Sequence, residues 1–143
     1  MAFEWIPERS AKWDADKKRV IGDAAAGIFD RRFSECSDGD VLPGEWWRVE
    51  EDGTVVGFGW LDLVWGDAEV TLAADPGAKG RGVGTFILEQ LEAEAQRMGV
   101  HRVYNTVRSN HPERDHVTAW LTKRGFELSE DGSLFRRTSK VRT

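Results

Sequence analysis

The most informative segment of this 143-residue chain is residues 67–100, DAEVTLAADPGAKGRGVGTFILEQLEAEAQRMGV. It predicts a β-strand, then a short loop rich in glycine and basic residues, then an amphipathic helix. In the loop, Gly80, Gly82 and Gly84 alternate with other residues where the strand gives way to the helix. Such a turn presents main-chain N–H groups at a helix N-terminus, where phosphate groups bind. Because Lys79 and Arg81 add positive charge, the loop predicts a site for a phosphate-bearing cofactor.

Two common glycine loops fit this segment poorly. A Walker A loop places a lysine and a hydroxyl residue after its second glycine, to hold the terminal phosphates and magnesium, but Val83 and Gly84 occupy those positions. A dinucleotide-binding loop needs the pattern G-x-G-x-x-G and an acidic residue about 20 residues further on. Gly80 and Gly82 begin that pattern, but Thr85 stands where the third glycine is needed, and Phe86 and Ile87 follow it. A nucleotide-binding protein of another fold therefore stays open only as an alternative.

Two separate motifs support a third interpretation. The run from Lys79 to Gly84, KGRGVG, resembles the [Q/R]-x-x-G-x-G loop that binds acyl-CoA in the GNAT superfamily of N-acyltransferases, with lysine in the first position. The run from Trp120 to Phe126, WLTKRGF, looks like the Y-x-K-x-G-F segment that ends the last helix of that family. The resemblance covers residues 67–128, which would form the acyl-CoA-binding core of one N-acetyltransferase-like domain over residues 1–143.

The predicted elements follow the order that the resembled family uses. We expect an α/β (α+β) fold in which a mixed, mostly antiparallel sheet of six to seven strands is flanked by about four helices. In the helix after the glycine loop, an apolar stripe is formed by Val83, Ile87, Leu91, Ala95 and Met98. The helices are predicted over residues 14–29, 83–98 and 117–124, and the strands over residues 3–6, 45–51, 54–65, 69–74, 102–107, 126–128 and 134–137.

Composition favours a soluble enzyme-sized domain. The hydrophobic fraction is 40% and the charged fraction 31%, as in globular proteins. We expect no membrane segment, because no apolar run approaches the ~20 residues needed to span a bilayer. We expect no secretory signal, because MAFEWIPERS has no apolar core after a basic start. Cys36 is the only cysteine, so a cytoplasmic location is expected. The net charge of −5 argues against nucleic acid as a partner.

The resemblance assigns acetyl-CoA to the loop and to the strand before it. In the family, that strand contacts the pantetheine arm through its main chain, and a CoA-contacting asparagine often follows the next strand. The residues so assigned are Leu72, Ala73, Ala74, Lys79, Gly80, Arg81, Gly82, Val83, Gly84, Thr85 and Asn110.

Glu69 is the candidate general base. It lies on the strand before the loop, and a carboxylate in a partly apolar cleft can take a proton from an alkylammonium once burial raises its pKa. Ala68-Glu69-Val70 also resembles the stretch that holds the catalytic glutamate in the histone-acetylating branch of the family. Asp62 and Asp67 are the fallback candidates.

No general acid is evident. The family often has a tyrosine four residues before the glycine of its G-F pair, but Leu121 occupies that position here. Tyr104 lies on the preceding strand, and His111 or His116 are possible substitutes. Because a thiolate leaves readily without protonation, an acid is dispensable.

The resemblance implies an acetyl-CoA-dependent N-acetyltransferase that acts on a small-molecule or protein amine, and it is compatible with a homodimer. A non-catalytic acyl-CoA-binding or regulatory domain of the same fold is the alternative. No cluster of histidine and cysteine has metal-ligand spacing, so no metal is expected. Cys36 lies among acidic residues, which disfavours a thiolate and a role as an acyl carrier.

Overall fold

A seven-stranded sheet forms the centre of the fold in the computed structural model, which describes residues 2–78 and 80–138. The strands are β1 (Glu4–Glu8), β2 (Glu45–Glu51), β3 (Thr54–Val64), β4 (Asp67–Ala74), β5 (Arg102–Asn105), β6 (Glu127–Leu128) and β7 (Leu134–Arg137). They lie in the order β1-β2-β3-β4-β5-β7-β6. Every neighbouring pair is antiparallel except β4 and β5, which run parallel. The expected mixed, mostly antiparallel sheet is confirmed.

Three α-helices occur in the described part of the chain: α1 (Ala15–Lys17), α2 (Val83–Arg97) and α3 (Arg114–Lys123). A π-helical turn over Lys18–Gly22 extends α1 without a break. The carboxylate of Asp14 caps α1 by accepting a hydrogen bond from the main-chain N–H of Lys17 at 2.9 Å. The strand boundaries agree with the predicted ones to within two residues at each end.

The predicted helix over residues 14–29 is wrong beyond Gly22. Turns follow, and then a 3-10 helix over Arg31–Glu35. Residues 2–78 and 80–138 thus contain three α-helices where about four were expected. Gly27 has a φ of 91°, in the left-handed region, which no α-helix continues through. A Cβ on Gly27 would lie 2.3 Å from the main-chain oxygen of Asn110. The tertiary contact with the loop after β5 therefore overrides the local apolar pattern.

Helix α2 packs against one face of the sheet at two glycines of β3. A Cβ on Gly57 would lie 3.0 Å from Ile87 Cδ1, and one on Gly59 would lie 2.6 Å from Ile87 Cγ2. The missing side chains let the helix approach the sheet closely. Four of the five residues in the predicted stripe are buried; the exception is Met98, which lies just after the end of α2 and is 39% exposed.

Aromatic side chains fill the other face of the sheet. Trp46 stacks on Trp60 with ring centroids 4.2 Å apart, and Phe33 packs edge-on against both rings. Phe29 lies over Trp60 at 6.0 Å between centroids. The segment between α1 and β2 is thereby held over the strands that lead to the cleft described next.

Candidate functional site

A cleft of about 890 Å³ opens where β4 and β5 separate. The two strands pair only from Asp67 to Glu69, and the last pair joins Glu69 to Tyr104. Beyond this pair β4 continues to Ala74, whereas β5 ends at Asn105. The two strands therefore form a wedge, and the cleft lies between its sides.

Asn105 replaces strand pairing at the apex of the wedge. Its Nδ2 donates a hydrogen bond to the main-chain oxygen of Val70 at 2.8 Å. Main-chain groups alternate in direction along a strand. Because the oxygen of Val70 points away from β3, the main-chain groups of Leu72 and Ala74 face the wedge as well. Both residues line the cleft, together with Ala73. An extended ligand would find free donors and acceptors along this edge.

The glycine loop lines the far end of the same cleft. Gly80 and Gly82 have φ values of 84° and 83°, so both positions favour glycine. The first hydrogen bond of α2 runs from the N–H of Phe86 to the oxygen of Gly82. The N–H groups of the preceding residues in the first turn therefore have no partner within the helix. Cleft-lining residues here are Gly80, Gly82, Val83, Gly84 and Thr85.

Of the two basic residues predicted to support phosphate binding, Lys79 and Arg81, the structure describes Arg81. Lys79 lies outside the described residues. The guanidinium of Arg81 contacts Glu51 at 2.7 Å, and Glu51 is buried at the end of β2. The side chain of Arg81 therefore anchors the loop to the β2–β3 hairpin and does not line the cleft.

Arg124 links α3 to the start of α2. Its guanidinium stacks over the ring of Trp120 at 3.9 Å and donates a hydrogen bond to Thr85 Oγ1 at 3.1 Å. Trp120 lines the cleft close to Gly84. This contact fixes one wall of the cleft beside the helix N-terminus.

Glu69 lies at the narrow end of the wedge and lines the cleft. Burial is the main cause that raises the pKa of this carboxyl, and the charge of Asp62 raises it further. Arg108, Thr106 and Arg32 act in the opposite direction. A carboxylate with a raised pKa accepts a proton more readily, which is the property that a general base requires.

The fallback carboxylates differ in their availability. Asp67 is held by Arg102 through contacts at 2.8 and 3.4 Å. Asp62 lies directly opposite Glu69 across the β3–β4 pair, and burial raises the pKa of Asp62.

Tyr104 lies on the other side of Glu69, on β5. Burial is the main cause that raises the pKa of Tyr104, and the charges of Glu69 and Asp62 raise it further. A phenol of this kind is a poor proton donor at neutral pH.

The remaining candidates occupy separate positions. Leu121, at the family's tyrosine position, is 2% exposed and belongs to the core. His111 and His116 line the cleft, and burial lowers the pKa of His111. Asn110 is exposed and does not line the cleft. Burial raises the pKa of the Cys36 thiol.

Two cleft residues were missed in the sequence. Asn105 and Arg108 both line the cleft. They were missed because the strand was predicted over residues 102–107, whereas β5 ends at Asn105. A polar pair, Asn105-Thr106, in an otherwise half-apolar strand was the available signal.

Neither a metal centre nor a membrane helix is found in residues 2–78 and 80–138. No group of three or more histidine, cysteine, aspartate or glutamate residues in this part of the chain could hold a metal ion. No helix in it is both long and apolar enough to cross a bilayer.

Several solved structures with the same fold are N-acetyltransferases. The ribosomal-protein-S18-alanine N-acetyltransferase from Escherichia coli is 16% identical, and the match covers 99% of this chain and 97% of that chain with a TM-score of 0.64. An N-acetyltransferase from Staphylococcus aureus Mu50 is 18% identical over 67% of this chain and 68% of that one, with a TM-score of 0.55. A GNAT superfamily phosphinothricin acetyltransferase from Sinorhizobium meliloti, solved with AcCoA, is 19% identical over 67% and 62% of the two chains, with a TM-score of 0.55.

The sequence itself establishes the family. The model of the acetyltransferase (GNAT) family matches residues 8–126. The chain belongs to the GNAT acetyltransferase family, and its general class of reaction is acetyl-CoA-dependent acetyl transfer. No curated protein matches the sequence. Membership of the GNAT family excludes the alternative of a nucleotide-binding protein of another fold.

Proposed function

We propose that the protein is an N-acetyltransferase that transfers the acetyl group of acetyl-CoA to a primary amine by direct attack in a ternary complex. The observation that carries this proposal is the arrangement along the wedge. Free main-chain groups of β4 lie between the N-terminus of α2 at one end and the carboxylate of Glu69 at the other. This arrangement suits a long ligand that has phosphates at one end and a reactive acyl group at the other.

The main chain would bind the cofactor. The N–H groups of Gly82, Val83, Gly84 and Thr85 are available for the pyrophosphate at the start of α2. The inward-facing groups of Leu72 and Ala74 are available for the amides of the pantetheine arm, as an added strand would use them. In this proposal Arg81 holds the loop in place through Glu51, and Lys79 supplies charge as predicted from the sequence.

Glu69 would act as the general base. The acceptor reaches the wedge as an ammonium and transfers one proton to the carboxylate, directly or through water. The free amine attacks the thioester carbon, and a C–N bond forms. The tetrahedral intermediate then gives up the second amine proton to water and collapses, the C–S bond breaks, and CoA leaves as a thiolate. A thiol pKa of about 8.5 makes the thiolate an adequate leaving group without a dedicated acid.

A second candidate function is a non-catalytic acyl-CoA-binding domain. The buried Leu121 at the tyrosine position favours it, because this side chain cannot donate a proton to a leaving thiolate.

Turnover distinguishes the two functions. The purified chain is incubated with acetyl-CoA and a panel of polyamines, aminoglycosides, amino acids and peptides with free N-termini, and released thiol is measured. Thiol release that depends on one class of amine supports the enzyme. Acetyl-CoA binding without amine-dependent release from any class supports the non-catalytic domain.

A further inference from the structure

Among the residues that the structure describes, the arginines Arg19 and Arg108 line the cleft, and they differ in how firmly their side chains are held. Arg19 contacts Asp16 at 2.6 Å and Asp75 at 3.2 Å, and it donates a hydrogen bond to the main-chain oxygen of Val55 at 2.9 Å. Arg108 makes a single long contact of 3.8 Å with Asp30 among the described residues. The guanidinium of Arg108 therefore retains most of its donors for a ligand.

Arg108 lies at the acceptor end of the cleft. It follows β5, whose paired residues end opposite Glu69, and its charge lowers the pKa of Glu69. The glycine loop begins beyond Ala74, five residues further along β4. At about 3.3 Å per residue, this places the phosphate end roughly 17 Å from Glu69. Arg108 therefore lies with the residues at the acceptor end of the cleft and not with those that would bind the phosphates of the cofactor.

The segment between α1 and β2 forms one wall of the cleft. Gly27 lies against the main chain of Asn110, and Asp30 contacts Arg108. Ile28 and Phe29 supply apolar surface on the same wall. The acceptor end therefore has an acidic group, a basic group and an apolar wall side by side, which suits a compact molecule that has both polar and apolar groups.

We propose that the acceptor is a small amine that also bears a carboxylate, an amino acid, whose amine meets Glu69 and whose carboxylate pairs with Arg108. This inference rests on the proposed function. A planar guanidinium binds a carboxylate through two parallel hydrogen bonds, which is a geometry that lysine does not reproduce. A polyamine would bring a second cation toward Arg108 and Arg32, and both arginines act on Glu69. The charges at this end of the cleft thus favour a zwitterion.

The test compares matched acceptors that differ only in the carboxylate. Acetyl transfer is measured with L-leucine, L-phenylalanine and short ω-amino acids, each beside its carboxamide. For the wild-type chain we expect kcat/KM to be at least about 10-fold higher for the acid of at least one pair. Arg108→Gln is expected to remove that preference by raising KM for the acid, with Arg108→Lys intermediate. Neither variant should change the affinity for acetyl-CoA.

Arg97→Gln is the matched control, because Arg97 lies in the last turn of α2 and is exposed. It should leave the preference unchanged. Equal turnover of acids and amides by the wild-type chain would overturn the inference and leave the proposed function standing. A rise in KM for acetyl-CoA in Arg108→Gln would assign Arg108 to the cofactor instead. Acetyl-CoA binding without transfer to any acceptor of the panel would also overturn the inference, whereas absent acetyl-CoA binding would overturn the proposed function itself.

Discussion

Asp62 and Glu69 face each other directly across the β3–β4 pair. Side chains opposite one another in an antiparallel pair have Cβ atoms only about 4.5–5.5 Å apart. Two carboxylates at this separation disfavour each other's ionisation. Burial raises the pKa of both groups, and Asp62 raises that of Glu69 further. The protonation of Glu69 is thus set partly by a neighbour that need not touch the substrate.

Removing the charge of Asp62 should shift the pH dependence of activity. In Asp62→Asn the repulsion is lost, so the pKa of Glu69 falls and its carboxylate forms at lower pH. The acidic limb of kcat/KM should move to lower pH by about half a unit to one unit, as expected for a nearby like charge. Glu130→Gln, an exposed carboxylate in the β6–β7 turn, is the control and should leave the limb in place. A limb that stays fixed in Asp62→Asn as well would mean that Glu69 does not control it.

Removing the carboxylate of Glu69 should impair chemistry and spare cofactor binding. Glu69→Gln keeps the shape of the side chain but cannot accept a proton. We expect kcat at neutral pH to fall about 100-fold or more, as expected for loss of a general base. The dissociation constant for acetyl-CoA, measured by calorimetry, should stay within about a factor of two. Unchanged turnover would remove Glu69 from the mechanism.

The close approach of α2 to β3 should not tolerate a methyl group at Gly59. The new Cβ would lie 2.6 Å from Ile87 Cγ2 and 3.0 Å from the ring of Trp5. Overpacking of this kind costs about 1–3 kcal/mol, and we expect Gly59→Ala to lower the free energy of unfolding by that amount in a urea titration. Gly77→Ala meets only the side-chain oxygen of Asp75 at 3.4 Å. This control should change stability by less than about 0.5 kcal/mol.

Arg81 should contribute to stability through Glu51. In Arg81→Gln the buried carboxylate of Glu51 loses its partner at 2.7 Å. Because Arg81 is itself half-exposed, we expect a loss of about 1–3 kcal/mol, below the range for fully buried pairs. The double variant Arg81→Gln, Glu51→Gln should recover at least half of it, as measured by denaturant unfolding. If the double variant loses as much stability as Arg81→Gln alone, the unpaired carboxylate of Glu51 is not the cause of that loss.

Local patterns predicted the parts of the fold that local forces determine. The apolar stripe of α2 recurs at every turn, so the helix and its buried face follow from the sequence. The hairpin between β2 and β3 follows from Asp52-Gly53, whose positive φ values suit these residue types. The region 14–29 also has an apolar pattern, but the helical turns end at Gly22, and Gly27, with a positive φ, packs against the main chain of Asn110. That contact joins residues far apart in the chain, and no local pattern indicates it.

The candidate site divides in the same way. The spacing of the glycines indicated a tight turn before a helix, and Gly80 and Gly82 do adopt positive φ values just before α2. The contact that the Arg81 side chain makes could not be predicted, since its partner Glu51 lies on another element. Arg108 was missed for a related reason: β5 ends at Asn105, where a side-chain hydrogen bond to Val70 replaces strand pairing. Where a long polar side chain goes is decided by tertiary contacts.

The most direct test of the account is a calorimetric titration of the purified chain with acetyl-CoA, with NAD and ATP titrated in parallel. The wedge and the α2 N-terminus predict one site per chain with a dissociation constant on the order of micromolar for acetyl-CoA. They predict no comparable binding of NAD or ATP. Absent binding of acetyl-CoA, or equal binding of all three ligands, would contradict the assignment of the cleft and of every residue placed in it.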